Sequence, residues 1–293
     1  MKNLTKPEIV SGNEGYFYTV ADGSRLFIYD YQSVKDYHTA IFIIAGITGI
    51  NHNTEKDIID ILSNNENRVV IIHPRGTGYS EGKLGDIKTI DVFINDFIEI
   101  ISNDKDYNSK QHKMFLYGHS MSTAVLLAVA DKLENINGAI LVNPPLKQKK
   151  AKGLSPGFWQ YVKYAWYYVF AKHKPVVNMA GDPSQIENEE DRKDSENNST
   201  DTLLVKYFSM HYMDEVRKSI QSMPGLCKKA DYPLLLIYGM NDNIVDKKGC
   251  DLIFENWKHP AKEYVLIENG SHGKSTVKLA KEIIAKWIKD HQA

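Results

Sequence analysis

The chain has 293 residues, 42% of them apolar, and its 36 Lys and Arg against 37 Asp and Glu give a formal net charge of −1. This supports one large or two small globular domains with a sizeable core, and gives no electrostatic footprint for a nucleic-acid partner. Two cysteines, Cys227 and Cys250, make neither a disulfide framework nor a close metal-ligand pair, and free buried thiols suit a reducing compartment.

The N-terminal stretch MKNLTKPEIVSGNEGYFYTV lacks the apolar centre of a secretory signal. No apolar run reaches the roughly 18 residues that span a bilayer, so a cytoplasmic location is expected. Tyr16 to Tyr31 predicts two strands around the turn Ala21-Asp22-Gly23-Ser24. Six apolar runs then predict strands at Thr39–Ala45, Arg68–His73, Lys113–Tyr117, Gly138–Asn143, Tyr232–Tyr238 and Lys262–Glu268. Several, such as AIFIIAG and PLLLIYG, are apolar on both faces, as a strand covered by helices on both sides requires. Helical patterns alternate with them at Asn53–Leu62, Lys88–Ile101, Met121–Leu133, Lys247–Trp257 and Thr276–Asp290. Strand-helix alternation predicts an α/β fold with a mostly parallel, doubly wound sheet.

One segment breaks the rhythm. From Pro145 to about Met223 no strand-like run occurs. It holds a lysine cluster (Lys147, Lys149, Lys150, Lys152), an aromatic helical block from Phe158 to Phe170, the acidic stretch IENEEDRKDSENNST and a helical piece from Thr202 to Ser222. The expected organisation is a core of residues 1–145 and 224–293 with a helical cap, residues 146–223, inserted between two late strands. The acidic stretch is expected to be a surface loop or partly disordered.

The most informative stretch is MFLYGHSMSTAVLLA, residues 114–128. Gly118-His119-Ser120-Met121-Ser122 joins a predicted strand to a predicted helix in the pattern of a G-x-S-x-G elbow, with Ser122 at the second glycine. Such a turn lifts the hydroxyl above the sheet edge and aims the next N–H at a reacting carbonyl. A helix N-cap serine fits the pentapeptide too. The downstream loops favour a nucleophile. Asp242, in Asn241-Asp242-Asn243-Ile244-Val245-Asp246, and His272, in Gly270-Ser271-His272-Gly273, each follow a predicted strand, giving the chain order Ser, Asp, His.

With these motifs the sequence resembles the α/β-hydrolases, in the branch holding monoacylglycerol lipases, lysophospholipases and serine aminopeptidases. HPRGTGYSEG (residues 73–82) resembles that branch's D-x-R-G-x-G-x-S-x-G segment, and IIAGITG (residues 43–49) its H-G-x-G oxyanion loop. The resemblance implies a triad of Ser120, Asp242 and His272, with backbone N–H donors from Ile47 and Met121 for the oxyanion. Asp242 matches the family's acid loop better than Asp246 does. Ala45 replaces the oxyanion-loop histidine, and His73 stands where aspartate is common. No triad member is replaced, so an active serine esterase is expected.

Plainer roles are read for other residues. His119 is expected to support the turn, Arg75 to anchor loops, and His211 to pack among Tyr207, Phe208 and Tyr212. The glycines of RGTGYSEG do not fit a nucleotide-binding spacing, and no metal or cofactor is implied. The aromatics of the cap either pack it onto the sheet or line an acyl pocket and touch a lipid surface together with nearby lysines. The expected partner is a small-molecule ester with an apolar acyl chain, such as a monoacylglycerol or lysophospholipid. Acyltransferase, thioesterase or aminopeptidase chemistry on the same triad is the alternative, the last needing an acidic group that the stretch Glu187–Glu196 could supply. A non-catalytic binding module on the same scaffold is a third. The sequence sets no oligomeric state.

Overall fold

The computed structural model describes residues 15–32, 37–46, 59–63, 67–149, 158–179, 183–185 and 189–292. The strands among them are β1 (Gly15–Thr19), β2 (Arg25–Gln32), β3 (Thr39–Ile44), β4 (Asn67–Ile72), β5 (Lys113–His119), β6 (Gly138–Val142), β7 (Pro175–Asn178), β8 (Tyr207–Ser209), β9 (Leu234–Gly239) and β10 (Lys262–Ile267). Eight of them form one sheet in the order β1-β2-β4-β3-β5-β6-β9-β10, and β7 and β8 pair separately. β1–β2 and β2–β4 are antiparallel, whereas every pairing from β4 through β10 is parallel. The parallel strands therefore end along one edge of the sheet, where ligands meet such folds.

The helices are α1 (Ile90–Ser102), α2 (Ser122–Ala130), α3 (Phe158–Phe170), α4 (Glu189–Thr200), α5 (Met210–Cys227), α6 (Lys247–Asn256), α7 (Lys274–Leu279) and α8 (Lys281–Asp290). They cover both faces, which is why TAIFII, NRVVII and LLLIYG are buried throughout. Phe42, Leu116 and Leu236 pack toward Phe93 and Phe97 of α1, Leu126 of α2 and Val216 of α5. The alternate residues Ile41, Phe115 and Ile237 pack toward Ile284 and Trp287 of α8. A strand's two-residue period makes this division.

This is the mostly parallel, helix-flanked sheet of the α/β-hydrolase fold that the sequence predicts. Details differ. The predicted last helix is two, α7 and α8, meeting at Ala280. Of the predicted helix Asn53–Leu62, residues 59–62 are helical and the rest lies outside the described residues. Between β6 and β9 the chain does contain strands, β7 and β8, which are only four and three residues long. The acidic stretch is helix α4 rather than a loop. Its first turn carries the carboxylates of Glu189 and Asp191, which suit the positive end of the helix dipole, and Glu189 pairs with Lys193 one turn on at 2.7 Å.

Candidate active site

β5 stops at His119 and α2 starts at Ser122, so two residues make the turn. Ser120 adopts φ 54, a left-handed conformation disfavoured for residues with a side chain. Its N–H donates to Val142 O at 2.9 Å, and its carbonyl accepts from Thr123 N–H at 3.0 Å. Gly118 keeps this crossing of strand and helix uncrowded: a Cβ there would lie 3.1 Å from Leu126 Cδ1 and 3.2 Å from Ser122 Oγ, so those side chains would have to give by a few tenths of an ångström. Ser122 does more than tolerate the second elbow position. Its hydroxyl accepts from His119 N–H and donates to His119 O, both at 2.9 Å.

His272 lies between β10 and α7, and Asp242 just past β9. Ser120 Oγ is 2.8 Å from His272 Nε2, and His272 Nδ1 is 2.7 Å from Asp242 Oδ2. Asp242 is fully buried, and its Oδ1 accepts from the N–H groups of Ile244 and Val245, each at 2.8 Å. Burial alone would raise this carboxyl, but the bond and charge of His272 and the two amides outweigh it and hold it below the usual carboxylate range. A carboxylate so fixed holds the imidazole with Nδ1 protonated, which leaves Nε2 to accept a proton from Ser120. Gly239 lets the two loops meet: a Cβ on it would lie 2.6 Å from the carbonyl oxygens of Gly270 and Ser271.

Met121 is the N-cap of α2, and among the described residues its N–H finds no acceptor. Ile47, the other predicted oxyanion donor, lies outside the described residues. Asp246, the weaker acid candidate, caps α6 by accepting from Lys248 N–H at 3.0 Å. His119 donates from Nε2 to His272 O at 2.7 Å, so it supports the histidine loop as well as its own turn. Arg75 bonds Asp22 at 2.6 Å and Asp96 Oδ1 at 2.7 Å, joining the β1–β2 turn to α1. His73 is buried against Phe27 and Tyr29. His211 donates to Lys88 O at 2.8 Å and packs on His173. Among the described residues no cluster of His, Cys, Asp or Glu could hold a metal ion.

Two residues next to the site are not singled out by the sequence. Asn143, directly after β6, donates from its side chain to Ser271 O at 3.0 Å and His272 O at 3.3 Å. Asp191 of α4 accepts from Ser275 N–H at 3.2 Å and bonds the Ser271 hydroxyl, which fastens the segment between β6 and β9 to the histidine loop. The available signals were weak ones: an Asn ending an apolar run, and an acidic first turn.

Fold and sheet order are those of an α/β-hydrolase, and the family match that follows makes the chain a serine hydrolase. A family model described as "Serine aminopeptidase, S33" matches residues 36–274, and the chain belongs to that family. It is 26% identical over 266 residues to the monoglyceride lipase of Rattus norvegicus, covering 86% of this chain and 81% of that one. Among solved structures, a soluble variant of monoglyceride lipase from Saccharomyces cerevisiae, in complex with a substrate analog, superposes with a TM-score of 0.80 at 17% identity. The match covers 98% of this chain and 99% of that chain. The monoacylglycerol lipase of Paleococcus ferrophilus superposes with a TM-score of 0.68 at 18% identity, covering 91% and 99%.

Proposed function

We propose that the chain hydrolyses a lipid-like carboxylic monoester, such as a monoacylglycerol or lysophospholipid, through an acyl-enzyme on Ser120. The observation that carries this reading is the continuous bond chain Ser120–His272–Asp242, at 2.8 and 2.7 Å, at the carboxyl edge of a parallel sheet. His272 takes the Ser120 proton as Oγ attacks the acyl carbonyl, then returns it to the leaving alcohol. Asp242 keeps the imidazole oriented and stabilises its charged form. The Met121 N–H, with that of Ile47, holds the oxyanion. Water activated by His272 then releases the acid. Residues 146–223 act as the cap that selects the substrate.

The lipid preference draws support from the monoglyceride lipases among the relatives and from the apolar outer face of α3. Trp166, Val169 and Phe170, which share one side of the helix, are each more than half exposed, and this face serves as a transient contact with lipid. The free, buried thiols of Cys227 and Cys250 fit a cytoplasmic setting. Aminopeptidase action needs a carboxylate free to hold an α-amine. Asp191, which bonds the histidine loop from within the acidic stretch, has both oxygens engaged by Ser271 and Ser275. Acyltransfer on the same triad would differ only in the acceptor.

The test is initial rates on p-nitrophenyl esters of increasing acyl length, with aminoacyl amides and Ser120→Ala alongside. Rates rising toward long chains are expected, with a loss on the order of 10⁴-fold or more in the variant. Equal rates on acetyl and long-chain esters would remove the lipid preference. Amide rates rivalling ester rates would install the peptidase reading.

A further inference from the structure

The triad explains which groups react but not what fixes the backbone of His272, which belongs to a loop. Asn143 meets it. This residue is fully buried and adopts φ 46, one of two left-handed conformations at side-chain-bearing residues among those described, the other being Ser120. Its N–H donates to Ile237 O at 2.9 Å and its Oδ1 accepts from Gly239 N–H at 2.9 Å, so β6 and β9 are locked at their ends. Its Nδ2 donates to the carbonyls of Ser271 and His272. The residue before it, Val142, accepts the N–H of Ser120. One strand end therefore holds both the nucleophile's backbone and the backbone of its base.

The chemistry at this position suits only an amide. Gly239 N–H requires an acceptor, and the two loop carbonyls, which also accept from the His119 Nε2–H and the Thr276 hydroxyl, each have a lone pair left for a second donor; an asparagine side chain meets both needs from one short stem. Its tolerance of the left-handed region removes part of the backbone cost of sitting there. We propose that Asn143 is a positioning residue for His272, setting the distance from Nε2 to Ser120 Oγ through the main chain of residues 271–272. This rests on the triad reading above for its kinetic consequence, though not for its geometric one.

Two variants test it. Asn143→Gly accepts the backbone conformation without strain and removes the side-chain clamp. Asn143→Asp keeps size and the acceptor for Gly239 but turns carboxylate oxygens toward two carbonyls. Both should lower kcat on a p-nitrophenyl ester by about ten- to hundred-fold with KM little changed, because a small misplacement of a base is costly. The rate at which a fluorophosphonate probe labels Ser120 should fall in parallel. The low-field proton resonance of His272 Nδ1–H against Asp242 should weaken or shift in both variants, a readout that needs no substrate. Folded variants with wild-type kcat and an unaltered resonance, whatever their melting temperatures, would overturn the proposal and leave Asn143 a purely structural clamp. Undiminished ester hydrolysis by Ser120→Ala would instead overturn the triad reading, and the resonance would still decide the role of Asn143.

Discussion

His119 packs beside the triad, its ring centroid 5.4 Å from that of His272 and its Nε2–H on the His272 carbonyl. Burial, reinforced by the nearby His272 charge, pushes its pKa down to about 4, so it is neutral at ordinary pH and donates as the Nε2–H tautomer. The unfolded chain takes up this proton near the ordinary histidine value of about 6.5. The contribution to stability is therefore full above about pH 6.5 and is lost as pH falls toward 4, on the order of 3 kcal/mol across that window. His119→Gln keeps an amide donor and removes the titration. The loss of urea midpoint between pH 7 and pH 4.5 should shrink in this variant, and an undiminished loss would assign the acid sensitivity to other groups. The turn residues Ser120 and Ser122 stood out in the sequence because the elbow is a local pattern. The bonds of His119 and Asn143 did not, because their partners lie more than a hundred residues away.

β4 reads in the sequence as an apolar strand with one charged residue, Arg68, and the structure explains that charge. Its guanidinium, 2% exposed, bonds Asp30 of β2 at 2.7 and 2.6 Å, Asp104 at 2.6 and 2.9 Å and Asp106 at 2.7 Å. Asp106 also accepts from Tyr37 OH at 2.9 Å and contacts His112 Nδ1 at 2.6 Å. One cation thus ties β2, β4 and the turn after α1. Arg68→Met should lower unfolding stability by about 3–5 kcal/mol, since it strands three carboxylates in and near the core. Arg68→Lys should recover only part, because an ammonium has three donors and no fork. Equilibrium urea unfolding gives both values, and a loss below about 1 kcal/mol for Arg68→Met would show that water relieves the carboxylates. The same scale explains which elements were legible. Wholly buried strands announce themselves by apolar runs. β7 and β8 are too short to form a pattern and exist only because they pair across some thirty residues of chain. α4 has no apolar stripe, so its helical state rests on first-turn carboxylates, one ion pair and the docking of Asp191.

At the scale of the molecule, the sheet edge that carries Ser120 and the apolar face of α3 belong to a chain with almost no net charge. Attraction to a surface must therefore come from one face rather than from the whole. The rings of Trp166 and Phe170 meet one helical turn apart, tilted, with centroids 5.7 Å apart, and Lys163, Lys172 and Lys174 are exposed on α3 or just after it. Among the described residues no helix is long and apolar enough to cross a membrane, so contact through this face would be peripheral. Rings partly withdrawn from water contribute on the order of 1 kcal/mol each, and lysines near anionic headgroups about as much, the latter screened by salt. The protein should cosediment with phospholipid vesicles, more strongly when they carry anionic lipid and less in high salt. Trp166→Ser with Phe170→Ser should weaken that partitioning by about ten-fold or more at an unchanged melting temperature. Equal partitioning of wild type and double variant would return these aromatics to packing within the cap, and the substrate would then have to reach Ser120 from solution.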